Sequence, residues 1–213
     1  KGYSDLLIKG VGGDLNDLQH QFVTVVRNNV ARMDRIVQDL LDVSRIEAGR
    51  LKLELGPVSP SEIVAEATQA FEQEIAEKDQ NLELAIRPDL PAVVGDRGRL
   101  IQVLTNLISN ANKYTPEGGT ITVRADTVSR DGTECVRWQV KDTGIGLSAD
   151  EVRQLFTKYF RSQRAPVRDV QGTGLGLVIT RSIVEMHSGQ MDVESELDKG
   201  STFSFTVPVA PGD

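Results

Sequence analysis

Three asparagines, a lysine and a tyrosine fall along Asn106-Leu107-Ile108-Ser109-Asn110-Ala111-Asn112-Lys113-Tyr114. Asn106 and Asn110 are four residues apart, so on a helix they share a face, and Lys113 and Tyr114 follow about one turn later. Two carboxamides, an ammonium and a phenol on one stripe can meet a metal–triphosphate and an aromatic base. A solvated polar helix face is the plainer reading of the same stripe. Asp142-Thr143-Gly144-Ile145-Gly146 follows a strand-like run ending at Lys141. Its glycines let backbone approach a ligand closely, and an Asp fixed at a strand end can accept a hydrogen bond from an exocyclic amine. Gly172-Thr173-Gly174-Leu175-Gly176-Leu177 is a glycine-rich turn opening a helix, where backbone N–H groups form an anion site. Lys199-Gly200-Ser201-Thr202-Phe203 enters the last strand and, alone, is a tight turn.

The elements that must position these residues can be read from periodicity. Lys1 to Ile8 is a short amphipathic stub closed by Gly10, Gly12 and Gly13. Asp14 then predicts the cap of one long helix to Ala48–Gly49, with Leu15, Leu18, Phe22, Val26, Val30, Met33, Val37 and Leu40 on one stripe. A stub and one helix cannot bury that stripe, so a partner chain is expected. Leu51 to Val58 reads as a hinge or short strand. Beyond it the pattern becomes mixed. Ser59-Pro60-Ser61-Glu62 predicts a capped helix to Lys78, followed by a strand over 82–86, a helix over 99–114, and strands over 120–125 and 134–141 around Asp131-Gly132. Ser148 to Glu151 is a second capping box; 161–172 reads as a mobile loop, 174–187 as a helix, and 191–195 and 202–207 as strands.

Composition narrows the classes. Acidic residues outnumber basic ones, 31 to 24, giving a formal charge of −7 that argues against a general nucleic-acid surface. No run approaches the ~18–20 apolar residues of a membrane span. Cys135 is the one cysteine, which excludes a disulfide framework and a multi-cysteine zinc site. The glycines of 172–176 lie late in the chain after a polar loop, unlike a dinucleotide fingerprint, and a phosphate-binding GxxxxGK[ST] is absent. The chain opens at Lys1 inside a helical pattern, and the expectation is a piece of something longer.

In this order and at these separations, the four stretches resemble the N box and the glycine boxes of the histidine-kinase ATP-binding domain. Leu155-Phe156-Thr157-Lys158-Tyr159-Phe160-Arg161 resembles that family's F box, with Tyr159 where Phe is usual, and Asp96 to Leu104 resembles its run into the N box. The resemblance spans about residues 51–208. It implies an α+β fold, a two-layer α/β sandwich with a mixed five-stranded sheet and about three helices, holding ATP beneath a lid. Asn110 would ligate Mg²⁺, with Asn106 beside it; Lys113 would contact phosphate and Tyr114 would flank the adenine. Asp142, with a water and Thr202, would bind the adenine amine, and Gly144, Ile145 and Gly146 would shape its pocket. Tyr159 and the turn Gly172, Thr173, Gly174, Leu175 and Gly176 would complete the nucleotide site. Lys158 and Arg161 would reach the β/γ-phosphates, and Asn106, Lys158 and Arg161 form the expected catalytic set. Arg164 and Arg168 of the loop would close over them.

Residues 1–50 resemble the second half of the family's dimerisation and phosphotransfer hairpin, without its H box. His20 is followed by Gln21-Phe22 and lacks an acidic neighbour, so it is a poor phosphoacceptor, and His187 is expected to act on a helix dipole. The implied function is transfer of the ATP γ-phosphate to a histidine outside these residues, for relay to an Asp of a response regulator receiver domain. The implied assembly is a homodimer through the N-terminal helices, cytoplasmic, with membrane attachment only through regions absent here. A degenerate nucleotide-binding signalling module is the alternative. ATP-hydrolysing clamps and anti-sigma-type serine kinases share the fold, but the clamps carry a general-base Glu where Asn106 stands.

Overall fold

The computed structural model describes residues 2–162, 164 and 172–210. The chain divides into two compact units, Lys1–Leu51 and Lys52–Asp213. In the first, α1 (Gly2–Ile8) lies against α2 (Asp17–Glu47). The long helix starts three residues later than its predicted cap, because Asn16 rather than Asp14 caps it. The Asn16 side chain accepts the Gln19 N–H at 2.9 Å, and the Gln19 side chain accepts the Asn16 N–H at 3.0 Å. Asp14 stays in the connection after Gly13, whose φ of +102° ends the first turn. The apolar stripe of α2 remains open: Leu18, Val26, Val37 and Leu40 are exposed, Phe22 by 62% and Met33 by 66%.

The second unit is built on a five-stranded mixed sheet. Its strands are β2 (Asn81–Ile86), β4 (Thr120–Arg130), β5 (Thr133–Asp142), β6 (Gln190–Glu196) and β7 (Gly200–Pro208), in the order β2-β4-β5-β7-β6. β2 runs parallel to β4, and the other pairs are antiparallel. A separate ribbon pairs β1 (Gly56–Val58) with β3 (Val93–Gly95), a three-residue strand too short to show alternation. The helices are α3 (Pro60–Gln69), α4 (Glu72–Glu77), α5 (Arg97–Tyr114), α6 (Ala149–Gln154) and α7 (Gly176–Met186). The α+β class and the mixed five-stranded sheet agree with the sequence reading.

Several features differ from the sequence reading. The helix predicted to run to Lys78 breaks after Gln69. The Thr68 hydroxyl donates back to the Val64 carbonyl at 2.8 Å, and Phe71, buried, caps the start of α4. Ser59 takes the N-cap position without a side-chain bond, and Pro60 at the first helical position starts the turn instead. The β4–β5 ribbon runs on to Asp131-Gly132, whose φ of +48° and +80° make the tight turn that two long twisted strands accept.

Side chains alternate across the sheet, so Val136, Trp138, Val140 and Asp142 of β5 share the helix-facing side. The first three are core. Trp138 stacks on Phe205 with ring centroids 4.9 Å apart and planes 11° from parallel. Ile63, Leu100, Leu104, Leu107, Ile108 and Ile183 cover that side from α3, α5 and α7. Removing the Phe205 ring leaves a cavity under the chain's single tryptophan. Phe205→Ala should therefore cost about 3–5 kcal/mol of stability, read as a lower urea midpoint by Trp138 fluorescence. An unchanged midpoint would contradict this core.

Candidate functional site

Asp142 ends β5 on the core-facing side, opposite Ile121, and is only 5% exposed. A carboxylate so placed needs donors. Its Oδ1 accepts the Gly144 N–H at 2.8 Å and the Ser201 N–H at 3.2 Å. Oδ2 takes no hydrogen bond from the described residues. Burial raises the Asp142 pKa, and the two backbone N–H groups pull it back.

Backbone packs closely around Oδ1 and the Asp142 main chain. A Cβ at Gly144 would run into the Tyr114 carbonyl oxygen and sit 2.7 Å from Asp142 Oδ1. A Cβ at Gly200 would collide with the Asp142 carbonyl, and Gly200 itself has φ +106°. The Ile145 N–H donates to the Tyr114 carbonyl at 3.2 Å, and the Ile145 carbonyl accepts the Asp198 N–H at 2.9 Å. Gly146 turns with φ +55° against the Glu196 carbonyl. Thus the 142–146 loop is clasped between the end of α5 and the β6–β7 turn.

The structure corrects one residue here. Thr202 pairs with Lys141, so it faces the side of the sheet away from Asp142. Ser201 takes the place assigned to Thr202, through its backbone N–H. The Ser201 hydroxyl lies 2.9 Å from Ser195 Oγ, which also accepts the Leu147 N–H at 2.8 Å. Sequence reading missed both serines; the β5–β7 register, pairing Lys141 with Thr202, is what turns Ser201 to the Asp142 side.

On α5, Asn110, Lys113 and Tyr114 are half-buried, whereas Leu107, Ile108 and Ala111 are core. Asn112 is turned the other way, buried, its Nδ2 donating to Glu74 Oε2 at 3.1 Å. Burial raises the Tyr114 pKa, and the charge of the Arg161 guanidinium pulls it back. Lys158 is exposed. Asn106 is tied down: its Nδ2 donates to Thr180 Oγ1 on α7 at 2.8 Å, and a Cβ on Gly176 would sit 2.6 Å from its Oδ1. It therefore reads as a strut between α5 and α7 rather than as a group aimed at a reacting atom.

The glycine-rich turn leads into α7. Gly174 has φ +71° and accepts the Tyr159 N–H at 3.0 Å, so the two ends of the 160–173 loop meet. Tyr159 itself is held at φ +63° with its side chain 64% exposed. Gly172 is exposed, whereas Leu175 is buried in the core. Thr173 Oγ1 accepts the Leu175 N–H at 3.2 Å, and Gly176 opens the helix. Arg168 lies outside the described residues. Arg164 does not stand with the site cations: its Nε donates to Glu151 Oε1 at 3.1 Å and its Nη2 to the Gly146 carbonyl at 2.5 Å.

A buried, braced carboxylate at a strand end, half-buried amide, ammonium and phenol groups on α5, and a glycine-bearing helix start all belong to the second unit. Residues 95–211 match the family described as histidine kinase-, DNA gyrase B- and HSP90-like ATPase. Residues 1–49 match the His kinase A phospho-acceptor domain. The chain belongs to the sensor histidine kinase family. It is 36% identical over 210 residues to the sensor histidine kinase RcsC of Escherichia coli K12, covering 94% of this chain and 22% of that protein. It is 34% identical over 209 residues to the circadian input-output histidine kinase CikA of Synechococcus elongatus, covering 97% of this chain and 27% of that one. The crystal structure of full-length ShkA in complex with AMPPNP superposes with a TM-score of 0.77 at 30% identity, over 94% of this chain and 41% of ShkA. The chain spans about a quarter of the length of these curated relatives.

In this histidine kinase chain the 142–146 loop has a second support. Ser148 and Glu151 form the predicted capping box of α6, with Ser148 N–H to Glu151 Oε2 at 2.8 Å. Burial alone would raise the Glu151 pKa. Hydrogen bonds from Ser162 and Ser148 and the Arg164 guanidinium outweigh burial and hold it at about 2. A carboxylate lowered in the folded state stabilises above its ordinary value of 4.5, and that contribution is lost as pH falls toward about 2. Glu151→Gln should lower the urea midpoint at pH 7, and the gap from the unsubstituted chain should close on acidification through this window. A gap independent of pH would contradict the assignment.

Proposed function

We propose that this chain is the ATP-binding catalytic core of a sensor kinase that transfers the γ-phosphoryl group of ATP to a histidine. The Asp142 carboxylate carries the reading: buried, braced on one oxygen, with the other left for a ligand amine. Adenine offers such an amine at N6. Tyr114 and Ile145 would wall the base, Lys113 and Arg161 would meet the phosphates, and the N–H groups opening α7 would add a partial positive charge.

The residues suit a divalent cation of the Mg²⁺ type. Asn110 is half-buried on the ligand-facing stripe of α5 and makes no hydrogen bond with the described residues. Its carboxamide oxygen is the hard, neutral ligand that Mg²⁺ accepts beside phosphate oxygens. The ion would neutralise phosphate charge. Arg161 and Lys158 would stabilise charge on the transferred group. Water activation is disfavoured, since Asn106 is a carboxamide committed to Thr180 and offers no base.

The acceptor histidine lies outside these 213 residues in this reading. His187 is buried with both ring nitrogens engaged, and His20 has no acidic neighbour. The exposed stripe Leu18, Phe22, Val26, Met33, Val37 and Leu40 would form a homodimer seam, and a response regulator receiver domain would take the phosphoryl group onward. Among the described residues no helix is long and apolar enough to cross a membrane. The core would work in the cytoplasm, where ATP is.

Two substitutions test the site by calorimetric titration. Asn110→Ala should weaken Mg–ATP binding by about tenfold or more, as lost charge-assisted contacts imply, without shifting the unfolding midpoint. Asp142→Asn should weaken ATP binding and erase its preference over GTP, because the amide can turn a donor toward N6. With labelled ATP the chain alone should gain no acid-labile phosphohistidine, and His20→Ala should change nothing. Unchanged affinity in both site variants, or His20-dependent labelling, would overturn the reading.

A further inference from the structure

His187 ends α7 with its ring 4% exposed, and both nitrogens are committed. Nε2 lies 2.9 Å from the Asp96 backbone N–H, and Nδ1 lies 2.8 Å from the Ile183 carbonyl oxygen. A backbone N–H only donates and a carbonyl only accepts, so Nε2 must be bare and Nδ1 must carry the proton. Only the neutral imidazole, in that tautomer, satisfies both partners. The ring lies against Gly95, where a Cβ would come within 3.3 Å of Cδ2.

Asp96 is a junction. Its Oδ1 accepts the Arg99 N–H at 3.1 Å and so caps α5, while Oδ2 accepts the Glu54 N–H at 3.0 Å, from the segment by which the chain enters the second unit. The His187 bond therefore joins the last turn of α7 to the first turn of α5. At the other end of the same pair, Asn106 bonds Thr180 and packs on Gly176. The two helices run antiparallel and are pinned at two points. One carries Asn110, Lys113 and Tyr114; the other begins in the glycine-rich turn.

We propose that His187 is a positioning residue for the nucleotide site, its bare Nε2 holding α7 in register with α5 through the Asp96 N–H. The proposal rests on the Mg–ATP reading above. A proton on Nε2 would set two donors face to face and release the pin. The charged groups nearby are engaged elsewhere. The Asp96 oxygens take the Arg99 and Glu54 N–H groups, Arg97 pairs with Glu66 at 2.5 Å, Arg99 donates to Gln102 at 2.8 Å, and Glu185 pairs with Arg181 at 2.8 Å.

The test uses the whole 213-residue chain and Mg–AMPPNP in calorimetric titrations at neutral pH. His187→Gln offers a carboxamide oxygen near the Nε2 position; His187→Leu removes the acceptor; His187→Asn keeps a donor for the Ile183 carbonyl but is too short to reach the Asp96 N–H. His187→Gln should bind within about twofold of the unsubstituted chain, and His187→Leu and His187→Asn about tenfold more weakly, the scale of one buried donor left unpaired. Folded His187→Leu with full affinity, or His187→Gln as weak as His187→Leu, would overturn the positioning role. If His187→Leu fails to fold, His187→Asn decides in its place, full affinity overturning the role. No binding by the unsubstituted chain would instead sink the Mg–ATP reading, and this proposal with it.

Discussion

A carboxylate buried at the end of a central strand is costly, and the second unit is arranged around making it tolerable. Asp142 reaches the helix-facing side because β5 alternates and ends there, one residue beyond the Lys141–Thr202 pair. Two backbone N–H groups from two different turns, at Gly144 and Ser201, hold one oxygen. Both turns must then come within a few ångströms of the same side chain. That demand explains why Gly144 and Gly200 lack room for a Cβ. The serine pair behind them, Ser195 and Ser201, ties the 147 backbone to the β6–β7 turn and keeps both donors in place.

The rest of the site is carried by two helices whose relation to each other is fixed by polar struts rather than by packing alone. Asn106–Thr180 and His187–Asp96 are buried or half-buried bonds, and each would leave an unsatisfied group if its partner were lost. Such bonds restrict sliding more sharply than aliphatic contacts such as those of Leu104, Ile108 and Ile183. The site can therefore combine a firm floor and walls with a loop whose ends meet at Tyr159 and Gly174.

Much of this was legible in the sequence where periodicity and turn chemistry agree. The Ser148–Glu151 capping box, the Asp131-Gly132 turn and the apolar rows of α5 follow from local rules. The misplaced cap at Asp14 is also local, since Asn16 with Gln19 offers a capping box that Asp14 does not. Other features were hidden because they depend on pairing distant in sequence. Ser201 rather than Thr202 meets Asp142 only because of the β5–β7 register. Arg164 looks like one more phosphate ligand until Glu151 and the Gly146 carbonyl are seen to hold it. The two-residue interruption between α3 and α4 reflects burial of Phe71, a tertiary preference that no capping signal announces.

The central claim is that Asp142 reads an amine with its remaining oxygen. Comparing ATP with inosine triphosphate on the unsubstituted chain isolates that contact, because the two differ at the purine 6-position, amine against carbonyl. A carbonyl there would face the Asp142 carboxylate acceptor to acceptor. Mg–ATP should bind at least about tenfold more tightly than Mg–ITP in calorimetric titration at neutral pH, the scale of one buried charged acceptor left unpaired. Equal affinities for the two nucleotides would contradict it.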